Sequence, residues 1–252
     1  MQKKQLKKIF SLMFVSALTV FMVRGISWAT YARPPLPEAV AAAQSDDLVA
    51  VTDSPWLAFT PAQTVPETGF VFYPGGRIDP RGYSTLMRAI AEQGYLVIIP
   101  TMPINMAIFD SNAADEIIAA HPEIEHWVVG GHSVGGTAAA LYVSAHPGQI
   151  DGLAIWSSYP ADNSNLSNLD IPTTVMYGGN ETGVTDESVG ARKHLLPPAT
   201  QYIKIEGGDH HQFGAYGLTS QDENLATASR AEQHGQILSA MLELLRSAAE
   251  EE

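Results

Sequence analysis

The chain has 252 residues, 45% hydrophobic and 16% charged, which supports a sizeable core and excludes a disordered protein. It has no cysteine, so disulfides, thiolate metal sites and a cysteine nucleophile are all excluded. Five of its 14 basic residues lie in the first 24 positions, leaving nine against 27 acidic ones, a surface that repels nucleic acid and anionic headgroups.

Lys3, Lys4, Lys7 and Lys8 precede an apolar stretch from Ile9 to Val23, and Arg24 follows. A basic start before an apolar core reads as a secretion signal or as an uncleaved anchor. Ser27-Trp28-Ala29 and Thr30-Tyr31-Ala32 both offer the small residues that a signal peptidase inspects. As helix the stretch covers about 22 Å, short of the roughly 30 Å hydrocarbon core. Arg24 can snorkel, letting the helix run on to Ala29. Residues 1–29 are therefore expected to be a signal peptide or an N-terminal membrane anchor, with 9–29 as the tether. In both cases the lysines stay cytoplasmic and the rest of the chain is exported.

Residues 30–47, with Pro34-Pro35-Leu36-Pro37 and an alanine-rich piece, read as a spacer. Leu48–Val51 and Trp56–Phe59 read as an antiparallel hairpin turning at Asp53-Ser54-Pro55. Strands then alternate with helices. Strands are predicted at Gly69–Tyr73, Tyr95–Ile99, Trp127–Val129, Ile150–Trp156, Thr173–Tyr177 and Gln201–Ile205. Helices are predicted at about Tyr83–Gln93, Asn112–Ala120, Thr185–Leu195 and Gln221–Ser247. Continuous apolar strands alternating with helices imply one α/β domain over 48–249, a mostly parallel sheet covered on both faces. The longest insertion, Tyr159 to Asp170, allows only a minimal lid, and 250–252 form an acidic tail.

Gly131-His132-Ser133-Val134-Gly135 lies between an apolar strand and a small-residue helix. Strand, sharp turn and helix make a nucleophile elbow, with Ser133 lifted above the sheet edge. Glycines flank it because side chains would collide where strand and helix cross. The same stretch approaches a phosphate-binding loop, but Gly136 stands where that loop needs lysine, so nucleotide binding is discarded.

A serine needs a histidine to take its proton and a carboxylate to orient that histidine, in the chain order serine, acid, histidine. Glu181 is the first acid beyond the strand ending at Tyr177, with Asp186 as the alternative. His210 and His211 share a glycine-rich loop after the last strand, and His210 is favoured as the base. Adjacent histidines seldom reach one ion, and no third ligand is evident, so no metal is expected. The backbone N–H of Val134 is one expected oxyanion donor. Gly76 or Arg77, in the loop after the early strand, supplies the other.

Together Tyr73–Tyr83, Met102–Ala107, Gly130–Gly136 and Gly207–Gly214 resemble the alpha/beta hydrolase superfamily. The likeness is closest to a bacterial branch of small hydrolases, often exported or membrane-tethered. It spans roughly Leu48 to Gly217, and Trp156-Ser-Ser-Tyr-Pro160 is one of its more specific motifs. The resemblance implies Ser133 as nucleophile and His210 as base. In that branch the acid is usually Asp, and here Glu181 stands in its place. The expected activity is hydrolysis of a small-molecule ester, or another acyl bond, without metal or organic cofactor. An inactive exported binding protein and an acyltransferase are the alternatives.

Overall fold

The computed structural model describes the backbone of residues 2–219, 222 and 224–250, and their side chains except at 2–4, 6 and 29. Eight strands follow along the chain: β1 (Val49–Thr52), β2 (Leu57–Pro61), β3 (Thr68–Tyr73), β4 (Leu96–Ile99), β5 (His126–His132), β6 (Gly152–Trp156), β7 (Thr173–Gly178) and β8 (Gln201–Ile205). The helices are α1 (Gln2–Thr30), α2 (Pro37–Ala42), α3 (Ser84–Ala91), α4 (Ala113–Ala120), α5 (Val134–Ala145), α6 (Asp186–Arg192) and α7 (Arg230–Glu250).

All the strands join one sheet in the order β1-β2-β4-β3-β5-β6-β7-β8. β1 and β2 form the expected antiparallel pair, β2 meets β4 antiparallel, and every other pairing is parallel. Alternate residues of β3 feed opposite cores, as the twofold strand period requires. Phe70 and Phe72 pack with α3 and α7, whereas Val71 and Tyr73 pack with α4, α5 and α6. The mostly parallel sheet covered on both faces is thus the architecture the alternating pattern called for.

Three segments differ from the sequence reading. Residues 30–47, expected as a spacer, lie against the domain. Leu36 N–H donates to Ala215 O, Gly217 N–H donates to Pro34 O, and Ala39 of α2 is fully buried. Arg88 of α3 anchors the segment's far end through Asp46 at 2.8 Å. Proline removes donors but leaves carbonyls and a stiff extended backbone, which here pairs with the domain rather than spanning solvent.

The terminal helix begins at Arg230, not near Gln221. Gln221 and Glu223 lie outside the described residues, and Asp222 and 224–229 are not helical. The start is set by a capping box: Ser229 Oγ accepts the Glu232 N–H while Glu232 accepts the Ser229 N–H. The helix continues to Glu250, and 251–252 of the acidic tail lie outside the described residues.

At the other end, α1 is continuous through Arg24, and its apolar stretch Lys7–Trp28 is 22 residues long with none of it buried. At 1.5 Å per residue it covers about 33 Å, enough to cross a bilayer. It is compatible with a signal or a membrane anchor.

Candidate active site

β5 ends at His132, and α5 begins at Val134, so Ser133 alone makes the turn. Its backbone sits at φ 54°, ψ −126°, a conformation that L-residues reach only under strain. Its N–H donates to Trp156 O at 2.9 Å, holding the turn at the end of β6. The crossing has no room for side chains: a Cβ on Gly135 would stand 2.1 Å from Tyr73 O, and one on Gly131 2.5 Å from Gly135 C.

The glycine pair that closes β7 leads to Glu181, whose side chain is almost wholly buried. Its Oε1 accepts the Gly178 N–H at 2.5 Å. Oε2 lies 3.1 Å from His210 Nδ1 and also accepts the Ser157 hydroxyl. Ser157 Oγ in turn stands 2.5 Å from His210 Nδ1. Ser157 has only one hydroxyl hydrogen, and Glu181 takes it. The hydrogen between the ring and these two oxygens must then come from Nδ1. That tautomer leaves Nε2 of His210 as the bare, accepting nitrogen.

His210 opens a one-turn 3-10 segment, His210–Phe213, whose first amides are held by buried Asp209. Asp209 Oδ1 accepts from His211 N and Gln212 N, each at 3.0 Å, and Oδ2 accepts from Leu225 N. Gln233 of α7 grips both the N–H and the carbonyl of Asp209. The loop is therefore fixed from below as well as at its imidazole. The His210 ring packs 4.6 Å, centre to centre, from the ring of His132, the residue that precedes Ser133.

The alternative residues point elsewhere. Asp186 pairs with Tyr177 Oη at 2.8 Å and Lys204 Nζ at 2.9 Å. His211 turns toward Arg33 and Asp222. Among the described residues, no three His, Asp or Glu side chains converge as metal ligands do. A cleft of about 370 Å³ opens on the acid side of the imidazole, bounded by Glu181, Thr182, His210, His211, Asp222 and Leu225.

Of the expected oxyanion donors, Val134 heads α5, so its N–H has no partner within the helix. The Arg77 N–H is already engaged, donating to Asn105 O at 2.7 Å. The Gly75 N–H is likewise taken, by Tyr83 Oη at 3.0 Å. Among the described residues, only the Gly76 N–H of these three has no acceptor. A Cβ on Gly76 would lie 3.2 Å from Val134 Cγ1, so the two amides belong to touching residues.

Three groups escaped the sequence reading. Ser157 lay in a motif noticed only for its specificity. The Asp209–Gln233 clamp joins residues 24 positions apart. Tyr83, in the 3-10 turn Pro80–Tyr83, reaches His132 Nδ1 at 2.9 Å. Only for Ser157 was a signal available: a polar pair ending a strand that is otherwise apolar.

A family model described as the alpha/beta hydrolase family matches residues 69–235. No curated protein sequence matches the chain. Among solved structures, MGS-MChE2, an alpha/beta hydrolase enzyme from the metagenome of sediments of the Mar Chica lagoon in Morocco, is similar at 16% identity and a TM-score of 0.57. That likeness covers 77% of this chain and 97% of that one. The esterase domain of a Rhodothermus marinus protein is similar at 14% identity and a TM-score of 0.54, over 74% of this chain and 90% of that one. At such identities the likeness is one of fold.

Proposed function

The chain belongs to the alpha/beta hydrolase family, and on that premise we propose that it is a serine hydrolase that cleaves an ester through an acyl-enzyme on Ser133. The observation that carries this reading is the Glu181–His210 contact at 3.1 Å, with the His210 ring 4.6 Å from that of His132, which precedes a serine held at φ 54°. In the first step His210 Nε2 takes the Ser133 hydroxyl proton as Oγ bonds to the ester carbonyl carbon. The carbonyl oxygen becomes an oxyanion, met by the N–H groups of Val134 and Gly76. Collapse breaks the bond to the alcohol oxygen, which leaves with the proton from His210. Water then repeats the sequence on the acyl-enzyme, releasing the acid and restoring Ser133. Glu181 stays ionised and steadies the imidazolium.

The catalytic domain lies outside the cytoplasm in this reading, since the four lysines before the apolar helix favour the inner side. The decisive test is a fluorophosphonate probe, which bonds covalently to an activated serine. The native chain should be labelled and Ser133→Ala should not. Undiminished labelling of Ser133→Ala would put the nucleophile elsewhere.

A further inference from the structure

The end of α1 rests on the loop that carries Gly76. The Arg77 guanidinium lies 4.5 Å from the ring centre of Trp28 and 5.4 Å from that of Tyr31. Beside them, Asn105 Nδ2 donates to Thr30 O at 3.2 Å. Cations held over aromatic faces are attracted by the ring quadrupole. A helix long enough to cross a bilayer thus delivers its Trp–Tyr end, side chains suited to the headgroup boundary, directly beside the candidate site.

The neighbouring loop exposes apolar side chains without a packing reason. Ile104 is 46% exposed, Ile108 43% and Phe109 62%. Ile104 sits at φ 45° and Asn105 at φ 55°. The left-handed region is strained for a β-branched residue. The turn aims Asn105 at Arg77 and Thr30 and leaves Ile104 half exposed. Met106, between these residues, reaches back over the site, its Sδ only 2.8 Å from where a Cβ on Gly76 would stand. Met106 therefore sits in the chain between exposed Ile104 and Phe109 and packs at Gly76, which adjoins Val134.

We propose that the 104–109 loop and the Trp28–Tyr31 segment, where α1 ends, seat the site on a lipid bilayer, and that its substrate is a bilayer-resident ester with a long acyl chain. The substrate half of this rests on the serine-hydrolase reading; the surface half does not. With nine basic residues against 27 acidic ones outside the leader, the preferred surface is zwitterionic rather than anionic.

The absence of cysteine makes a clean experiment possible. The full-length chain carrying Phe109→Cys is labelled with an environment-sensitive fluorophore and reconstituted into phosphatidylcholine vesicles containing nitroxide lipid. Gln149→Cys, exposed before β6 and so at the opposite end of the parallel strands from the loop after β4, is the control. The label at 109 should be quenched about twofold or more, and the label at 149 should not, if the loop enters the interface. Equal quenching at the two positions would overturn the surface. For the substrate, the ratio of turnover on a long-chain fluorogenic ester in the vesicles to turnover on soluble p-nitrophenyl acetate is compared between the native chain and Ile108→Ser/Phe109→Ser. A fall of about tenfold is expected from the lost apolar contact, and an unchanged ratio would overturn the lipid ester as substrate. Fluorophosphonate labelling in the same vesicles separates the two ideas. Quenching without labelling would end the hydrolase reading, and the substrate with it, while the surface would stand.

Discussion

The phenolic oxygen of Tyr83 lies 2.9 Å from Nδ1 of His132 and accepts the Gly75 N–H at 3.0 Å. One buried hydroxyl thereby ties the loop that carries the Gly76 amide to the residue preceding Ser133. Burial keeps the Tyr83 phenol far above its ordinary pKa, so it remains a neutral donor to the imidazole. Burial, followed by the neighbouring His210, holds His132 well below the usual histidine range, so it remains a neutral acceptor. Tyr83→Phe strands a buried N–H and a buried ring nitrogen, which should cost about 1–3 kcal/mol of stability. Catalysis should also suffer through the displaced oxyanion loop, mainly in kcat. Thermal unfolding together with steady-state kinetics on p-nitrophenyl acetate checks both effects; a variant matching the native chain in both would rule out the linkage.

Ser157 should matter because it holds the carboxylate and the imidazole at once. Its φ of 44° places the hydroxyl between Glu181 and His210. A hydrogen bond to a charged group contributes roughly 1.5–3 kcal/mol, so Ser157→Ala should lower kcat/KM about ten- to a hundredfold. Glu181→Gln removes the charge that supports the imidazolium and should cost about a thousandfold or more. Asp186→Asn, at a carboxylate hydrogen-bonded to Tyr177 and Lys204, should leave turnover near the native value. A reversed order for the two acids would reassign the carboxylate.

Two glycines should respond oppositely to alanine. At Gly135 the new Cβ meets the Tyr73 carbonyl, a backbone atom that cannot step aside without parting β3 from α5. Gly135→Ala should yield little folded protein. Gly190 lies inside α6 with nothing within 4 Å of a new Cβ. Gly190→Ala should stabilise by about 0.5–1 kcal/mol through helix propensity. Chemical denaturation of both variants reads the contrast, and a destabilised Gly190→Ala would contradict it.

Acid should weaken the fold before its carboxylates titrate. Burial, followed by the neighbouring charge of Arg230, lowers His234 to about 4, and burial also lowers His132 and His211. As pH falls through about 6.5 the unfolded chain takes up protons at these positions while the folded chain does not. Stability therefore stays level above that pH and declines below it. The slope is about 1.4 kcal/mol per pH unit for each histidine kept neutral. Asp46, Asp79, Asp186 and Asp222 are held below the ordinary carboxylate value of 3.8, so their contribution is lost at still lower pH. Urea midpoints between pH 7.5 and 4.5 should show the decline, and His234→Gln should flatten it by about one proton. An equally steep decline in that variant would remove His234 from the account.

The elbow could be read before any folding because it is local. Glycine spacing, an apolar strand before it and a small-residue helix after it are all contained in Trp127 to Leu141, and local sterics permit few other shapes. The mostly parallel sheet was legible for a similar reason, since apolar runs alternating with helices leave few ways to bury both faces. Glu181 and His210 were legible as candidates from chain order, but chain order does not separate Glu181 from Asp186, five residues on in the same loop and helix start. Ser157 was hidden, because nothing local distinguishes a serine that bridges two distant side chains from one that merely ends a strand.

The sequence by itself therefore determined the α/β class, the strained serine turn and the apolar leader, each a matter of periodicity or of contacts within a few residues. Only the tertiary structure decided which acid meets the imidazole, that Ser157 stands between them, that the Arg77 amide is already engaged, and that the leader's aromatic end rests beside the site. Those contacts join residues from 24 to 53 positions apart. Their geometry is fixed by how the strands stack side by side, and no local pattern of residues encodes that.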